Sequence, residues 1–144
     1  MTKMNRNDLV DAYSAALEEL GLSYDEIGHG EDSMVIKFTD GNGKFLLLID
    51  KNDAGFVTVL FPNFYPIESE EEFVNCVMAA TKVTSEVKSA KVMVDIEDKQ
   101  VSVAAEFFDY SLEKKTQLLK RYISAVEGGV HQFLKEMRTE GGNG

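Results

Sequence analysis

The sequence predicts an α+β domain in which helices pack on an antiparallel sheet. The predicted order is helix, three or four strands, helix, two strands, helix. Three observations carry this prediction: helical spacing of apolar residues near both ends of the chain, strand-like apolar runs between them, and turns rich in Gly, Asn and Asp. Such separate runs of strands and helices are typical of the α+β class. With 144 residues and 44% apolar content, we expect one domain over residues 1–139 and a disordered tail over residues 140–144.

The first helix is predicted over residues 7–20. Asn7 is a plausible N-cap, and Gly21 stands where a helix ends on a left-handed residue, with Leu22 closing the motif. The apolar residues that recur at helical spacing are Leu9, Val10, Tyr13, Ala16, Leu17 and Leu20.

Strands are predicted over residues 24–27, 34–38, 45–49 and 56–61. Met34, Ile36 and Phe38 alternate with less apolar residues and should share one face. The run over residues 45–49 is apolar on both faces, so it should lie centrally and be covered on both sides, or line an interface. Pro62 should end the fourth strand.

The stretch FTDGNGKFLLLID, residues 38–50, raises the question of a calcium loop. With Gly43 at loop position 6, Asp40 and Asn42 fall at ligand positions 3 and 5. The anchors at positions 1 and 12 would then be Phe38 and Ile49, which supply no side-chain oxygen. Asp-Gly-Asn-Gly supplies residues that tolerate positive φ, as a tight hairpin needs. We therefore predict a hairpin without calcium dependence.

The second helix is predicted over residues 70–87. Ser69 and Glu72 form a capping box, and Glu70 and Glu71 face the positive end of the helix dipole. A helix on one sheet needs an apolar stripe of about 100°, but the apolar residues here cover more than half of the circumference. A second subunit is the expected cover. We predict a homodimer with an interface formed by Phe73, Cys76, Val77, Met78 and Ala80.

A second hairpin is predicted from residues 91–96 and 101–108, followed by a long helix over residues 112–137. The apolar stripe of this helix falls within about 120° of arc. Gly128 and Gly129 interrupt the pattern at a cost of roughly 1 kcal/mol each relative to Ala. The sequence leaves open whether the helix is continuous there or has a kink or a frayed half.

Composition limits the classes of partner that the chain is expected to bind. The net charge of −10 and the pI near 4.6 disfavour binding to nucleic acid or to anionic lipid. No apolar run approaches the roughly 20 residues that span a bilayer, and no secretory signal is recognisable at the N-terminus. Cys76 is the only cysteine and cannot form an internal disulfide. We expect a cytoplasmic protein.

No catalytic residue, metal site or cofactor is predicted. His29 and His131 are the only histidines, and neither has a Cys or His at zinc-ligand spacing. Cys76 stands at an apolar helical position, which favours packing over nucleophilic chemistry.

The sheet could also bind a partner. We expect Phe45, Leu47, Phe56 and Phe61 to form an exposed apolar surface that binds an extended or amphipathic polypeptide. The charge of −10 would favour a basic partner. The alternative is that these side chains belong to the core, covered by the first and last helices.

The chain resembles the type III secretion chaperone-like fold, which includes class I effector chaperones and the YbjN-type regulators. The resemblance rests on LVDAYSAALEELGLSYDE, on EEFVNCVMAATKVTSEVKSAKVMVDIEDKQVSVAAEFF and on the final amphipathic helix. It implies a non-enzymatic protein that forms homodimers through the second helix and nearby strands and presents apolar grooves to a partner segment. Two functions are then expected: chaperone-like polypeptide binding, or a YbjN-like regulatory or structural role without a dedicated client.

Overall fold

The structure is a computed structural model that describes residues 6–29, 33–41, 43–53, 55–109, 111 and 113–140. These residues form three helices and six strands in the predicted order. The elements are α1 (Arg6–Glu19), β1 (Ser23–His29), β2 (Ser33–Asp40), β3 (Gly43–Asp50), β4 (Phe56–Pro66), α2 (Glu70–Glu86), β5 (Ala90–Asp95), β6 (Gln100–Phe108) and α3 (Lys115–Glu140).

The six strands form one antiparallel sheet in the order β1-β2-β3-β4-β6-β5. Four strands precede α2, which decides between the three and four that the sequence allowed. The chain places β6 beside β4, so β5 lies at one edge of the sheet and β1 at the other. The α+β prediction is confirmed.

The core lies between the helices and one face of the sheet. Helix α1 packs on β1, β2 and β3, helix α3 packs on β4, β5 and β6, and α2 packs on α3 and β5. Ile36 and Phe38 of β2 are buried and Met34 is half-buried on the same face, as predicted. The strand residues buried under the helices include Phe45, Leu47, Ile49, Val57, Val59, Val101, Val103, Ala105 and Phe107.

Strand β3 is central, as its apolar pattern predicted, but the helices cover only one of its faces. Phe45, Leu47 and Ile49 point towards the helices and are buried. Leu46 and Leu48 alternate with them and are half-buried on the other face. Leu46 lies opposite Leu60 of β4 there, so this face of the sheet is apolar at its centre.

The predicted end of α1 has the expected hydrogen bonds, and at the predicted start of α2 the Glu72 carboxylate binds the N–H before the N-cap residue instead of that of Ser69. Gly21 has φ of +76°, and the backbone N–H groups of Gly21 and Leu22 donate to the carbonyls of Glu18 and Leu17 at 3.0 Å each. This is the Schellman motif. At the start of α2, Glu72 N–H donates to Ser69 Oγ at 3.1 Å, and the Glu72 carboxylate accepts from the Glu68 N–H at 2.9 Å.

Pro62 does not end β4, which was a wrong prediction. The strand continues to Pro66 through a bulge between Phe61 and Tyr65. Asn63 takes a positive φ of 50°, and its N–H donates to Ser102 Oγ of β6 at 2.8 Å. The bulge removes the need for a ladder hydrogen bond from Pro62.

Helix α3 begins later than predicted, because Lys114 has a positive φ of 59° that no helix accommodates. The helix then continues through Gly128 and Gly129 to Glu140, which decides the question that the sequence left open. A Cβ on Gly129 would lie 2.9 Å from Val103 Cγ1, whereas a Cβ on Gly128 would meet nothing within 4 Å. At Gly129, α3 therefore lies against the sheet with no room for a side chain.

The hairpin between β2 and β3 is confirmed. Asp40 pairs with Gly43 across a two-residue turn, and Gly41 takes a φ of +62°. Asn42, the predicted helix residue Leu112 and residues 141–144 of the predicted tail lie outside the described residues.

Candidate functional site

Exposed apolar side chains concentrate on α2 and the end of β5. Among the described residues, five large hydrophobic side chains are exposed, and four of them lie here. Their exposed fractions are 54% for Val74, 39% for Val77, 55% for Met78 and 70% for Ile96, which follows β5 directly. We call these four residues the α2–β5 face. The fifth, Phe108, lies at the end of β6.

The wide apolar arc of α2 explains how this face arises. One part of the arc, Cys76, Ala79, Ala80 and Val83, is buried, because α2 packs there on α3 and β5. The other part points to solvent. A helix covered on one side needs only the first part, so the second part is surplus to the fold of this chain.

The five residues predicted for a dimer interface divide between these two parts. Val77 and Met78 are exposed, and Phe73 is half-buried at the border. Cys76 is 0% exposed and Ala80 is 5% exposed. These two residues lie behind the exposed face and serve the core, because they point towards α3 and β5.

A groove separates α2 from β5 next to the exposed side chains. Its volume is about 530 Å³, which is within the range of ligand pockets. A hydrogen bond joins its two sides, because the Val92 N–H donates to Thr84 Oγ1 at 2.9 Å. The residues that line the groove are Phe73, Val77, Ala80, Thr81, Thr84, Ser85, Val92, Val94 and Ile96.

The side chains of this region are mainly apolar. Burial, followed by the charge of Glu72, raises the pKa of the Cys76 thiol to about 11. The thiol is therefore protonated at neutral pH and shielded from solvent, which makes it a poor nucleophile. The groove is lined by apolar and hydroxyl side chains. Within the described ranges, no three His, Cys, Asp or Glu side chains come together as metal ligands.

The prediction of an exposed polypeptide-binding surface on the sheet is wrong for two of its four residues. Phe45 is 1% exposed and Leu47 is 0% exposed, because both point towards the helices. Phe45 stacks on Phe38 with ring centroids 5.0 Å apart and meets the edge of Phe61 at 5.0 Å. The core alternative, which the sequence left open, holds for these two residues.

Phe61 and Phe56 are half-buried. Phe61 packs against the core, and its ring also contacts Phe64 with centroids 5.6 Å apart. Phe56 lies on the helix-free face of the sheet, where its cross-strand partner is Phe108 and the ring centroids are 5.1 Å apart. The four predicted residues therefore do not form one surface.

Sequence reasoning did not assign Val74 and Ile96 to a site. Val74 lies in the same exposed part of the apolar arc of α2 as Met78, so the helical pattern of the sequence could have identified it. Ile96 continues the alternation of Val92 and Val94 past the end of β5, and the sequence showed this alternation without indicating a site. The sequence could not show that α2 leaves a groove beside β5.

A buried charged cluster near the start of α3 was also missed. Lys115 forms an ion pair with Asp109, and the two side chains are 4% and 13% exposed. The Tyr13 hydroxyl of α1 donates to Asp109 at 3.4 Å, and Lys115 Nζ lies 5.1 Å from the centroid of the Tyr13 ring. Burial, together with the charge of Asp109, raises the pKa of Tyr13. The cluster joins α1, the end of β6 and α3.

The helices show no membrane-crossing segment. Among the described residues, none of the helices combines the length and the apolar character that a membrane span requires.

Comparison with known proteins supports the fold. No family model matches the chain, and no curated protein matches it. Among solved structures, the chain is similar to YbjN from E. coli, a proposed transcription regulator, with a TM-score of 0.53. The identity is 12%, and the match covers 85% of this chain and 93% of that chain. The chain therefore has a YbjN-type fold, as its sequence resemblance predicted.

Proposed function

We propose that this chain is a non-enzymatic interaction module that acts as a homodimer through the α2–β5 face. The observation that supports it is the clustering of four of the five exposed large hydrophobic side chains of the described residues on this one face. Concentrations of exposed apolar side chains are typical of interaction sites. An isologous dimer buries the same patch on both copies at once.

The role of the dimer is regulatory contact with other proteins. YbjN, which has the same fold, is a proposed transcription regulator, and the acidic charge of −10 on this chain makes direct binding to nucleic acid unfavourable. Regulation by this chain would therefore act through protein contacts.

Chaperone-like binding of a polypeptide is the second candidate. The helix-free face of the sheet favours it, because Leu46, Leu48 and Leu60 are half-buried at its centre and Phe108 is 67% exposed at its margin. A client segment would lie across this face and leave the dimer contact free. Phe56 would then be the one predicted partner-binding residue that retains this role.

The substitution Met78→Glu tests the dimer. Met78 is more than half exposed, so a charge there should leave the fold of one copy intact while it places a desolvated charge in the contact. The expected loss of association energy is at least about 2 kcal/mol, as for interface hot spots. Sedimentation should show a wild-type dimer at about tens of micromolar, since apolar interfaces hold at such concentrations, and a monomeric M78E.

Phe108→Glu is the matched control. It also replaces an exposed apolar side chain by a charge, but it lies outside the α2–β5 face, so F108E should remain a dimer. A monomeric wild type, or loss of the dimer in F108E alone, contradicts the proposal. The same three samples test the second candidate: a polypeptide that co-purifies with wild type and M78E but not with F108E would support client binding on the sheet.

A further inference from the structure

We infer that the outer face of α3 binds an acidic helical segment of a partner protein. The outer face consists of six exposed residues of this helix: Lys120, Arg121, Ser124, Gly128, His131 and Lys135. It lies outside the α2–β5 face, so the inference does not require the dimer proposed above. The charge of α3, the exposure of its basic side chains and the shape of the helix around Gly128 support it.

Helix α3 differs in charge from the rest of this acidic chain. It carries five basic and three acidic residues, whereas the remaining residues of the chain include ten basic and 22 acidic ones. Of its three acidic residues, Glu136 pairs with Lys82 of α2 at 3.1 Å, and Glu140 ends the helix. The solvent side of α3 is therefore a local exception to the negative field of the chain.

Three basic side chains of α3 are exposed on its outer face, namely Lys120, Arg121 and Lys135. Among the described residues, ion pairs form at other lysines, in α2, in β5 and at the start of α3. None of the three has an acidic residue three or four positions away, which is the spacing that pairs side chains along a helix. These charges can therefore bind an anionic group from outside the described chain.

The carboxyl of Glu127 borders the outer face, but it opposes these charges only in part. Partial burial, followed by a hydrogen bond and the charge of Asp40, raises the pKa of Glu127 to about 7. The group is therefore about half-protonated at neutral pH. Arg138 adds less positive charge than the other cations, because it lines a hollow together with Glu71 and Glu72.

The outer face is low at its centre. Ser124 and Gly128 lie between the basic residues and are exposed, and a Cβ on Gly128 would meet nothing within 4 Å. Glycine lowers helix stability relative to alanine, and neither a close neighbour among the described residues nor a positive φ requires it here. A residue without a side chain lets a second backbone approach closely. A partner helix that lies along α3 would come nearest at Gly128.

The spacing of the charges favours an elongated partner. Arg121 and Lys135 are about 21 Å apart along the axis, at 1.5 Å per residue. A small anion does not reach both ends, whereas a helix of about 15 residues with carboxylates near its two ends does. Nucleic acid is disfavoured, because its continuous charge would also face the acidic remainder of a chain with a net charge of −10.

Fluorescence anisotropy with a labelled peptide tests this surface. The probe is a peptide of about 20 residues with two Glu near each end and with Ala and Gln between them, which favour a helix. The reference peptide carries Gln in place of each Glu. At about 150 mM salt, where distant charges are screened, the wild type should bind the Glu peptide at least about tenfold more tightly than the Gln peptide. Equal binding of the two peptides, or no binding, overturns the inference.

The double variant K120E/R121E locates the binding. Both side chains are exposed, so the variant should fold, and its Kd for the Glu peptide should be at least about tenfold higher than that of the wild type. K37E/K44E is the matched control, because it makes the same change of charge at exposed lysines of β2 and β3. Its Kd should stay within about twofold of the wild-type value. An equal loss in both variants would mean that only the net charge matters, and it would overturn the inference.

Gly128→Leu tests the close approach with a variant that should not lose stability. Leucine favours a helix more than glycine does, and the space around Gly128 is open, so G128L should unfold at a temperature no lower than the wild type. Its side chain should nevertheless obstruct the peptide and raise the Kd at least about fivefold. An unchanged Kd overturns the close contact. A DNA duplex of about 20 base pairs that binds more tightly than the Glu peptide would overturn the choice of partner.

These outcomes can be distinguished from those that test the dimer. A monomeric wild type that binds the Glu peptide overturns the dimer alone, and a dimeric wild type that does not bind it overturns only the binding by α3. M78E, whose substitution lies outside the outer face, should bind the peptide as the wild type does. Loss of binding in M78E would place the peptide elsewhere and contradict the inference.

Discussion

At the scale of single residues, the buried ion pair of Lys115 and Asp109 is the least replaceable feature of the described structure. Both side chains are nearly or largely buried, and each charge has its main partner in the other. Removing one partner of such a pair leaves a buried charge uncompensated and costs about 3–5 kcal/mol. Replacing both partners by neutral groups avoids that cost. Removal of one partner should therefore destabilise the protein more than replacement of both partners.

We therefore expect Asp109→Asn to lower the free energy of unfolding by about 3–5 kcal/mol. Asparagine keeps an oxygen that accepts the Ser111 N–H, which donates to Asp109 Oδ1 at 3.0 Å in the wild type. The loss of stability would therefore come from the removal of the negative charge. The double variant D109N/K115M should be more stable than D109N alone. Urea unfolding of the wild type, both single variants and the double variant gives the coupling energy. A double variant as unstable as D109N would show that the cost has another origin.

This cluster also shows what local sequence patterns cannot predict. Lys115 lies in a polar stretch where a solvated side chain is the ordinary expectation. Its partners Tyr13 and Asp109 come from the first helix and the end of β6, and only the tertiary fold brings them together. The capping box of Ser69 and Glu72 was predictable, because its whole mechanism lies within four residues.

At the scale of elements, Gly128 and Gly129 have opposite roles although they are adjacent. Gly128 points to open space, whereas a Cβ on Gly129 would lie 2.9 Å from Val103 Cγ1 and 3.5 Å from Ala90 Cβ. Val103 is 0% exposed, and its β-branched side chain is stiff. Of the two glycines, Gly129 is therefore the one that the close packing of α3 over β5 and β6 requires.

Gly128→Ala should raise the free energy of unfolding by up to about 1 kcal/mol, the difference in helix propensity. Gly129→Ala gains the same propensity but overpacks the core, which typically costs about 1–3 kcal/mol, so it should lower the stability. Thermal and urea unfolding measure both. In a Val103→Ala background the penalty of G129A should disappear. A G129A protein more stable than the wild type would mean that α3 can move away from the sheet at little cost.

The elements differ in how well their sequences predicted them. The end of α1 at Gly21 and the hairpin at Gly41 follow from local backbone chemistry, and both were predicted. The end of β4 was not, because Pro62 is accommodated by a bulge whose hydrogen bond comes from Ser102, on a strand 39 residues away. The burial of Phe45 and Leu47 depended on which face of the sheet the helices cover. Periodicity alone does not determine that face.

At the scale of the whole molecule, the candidate site follows from the excess of apolar surface on α2. The pattern of α2 predicted more apolar surface than one sheet requires, and the structure places that surplus in solvent beside an accessible strand edge. Of the residues that the sequence assigned to a contact, Val77 and Met78 are exposed and Cys76 and Ala80 are buried, and the sequence did not predict the groove. The groove depends on the order β4-β6-β5, which puts β5 at the edge next to α2.

The net charge predicts how the Kd of the proposed dimer depends on salt concentration. Each copy carries a charge of −10 at pH 7, so association brings two acidic molecules together against their mutual repulsion. The range of this repulsion falls from about 30 Å at 0.01 M ionic strength to about 8 Å at 0.15 M. Repulsion over the whole surface should therefore dominate the salt dependence.

We expect the dimer Kd to fall several-fold between about 10 mM and 150 mM sodium chloride, because screening acts mainly on the long-range repulsion. The variant D11N/E113Q removes two exposed negative charges outside the α2–β5 face, so its Kd should change less steeply with salt. Sedimentation equilibrium at several salt concentrations measures both slopes. A Kd that rises with salt would mean that attraction between opposite charges holds the contact together, and that the apolar face of α2 is not its main source of affinity.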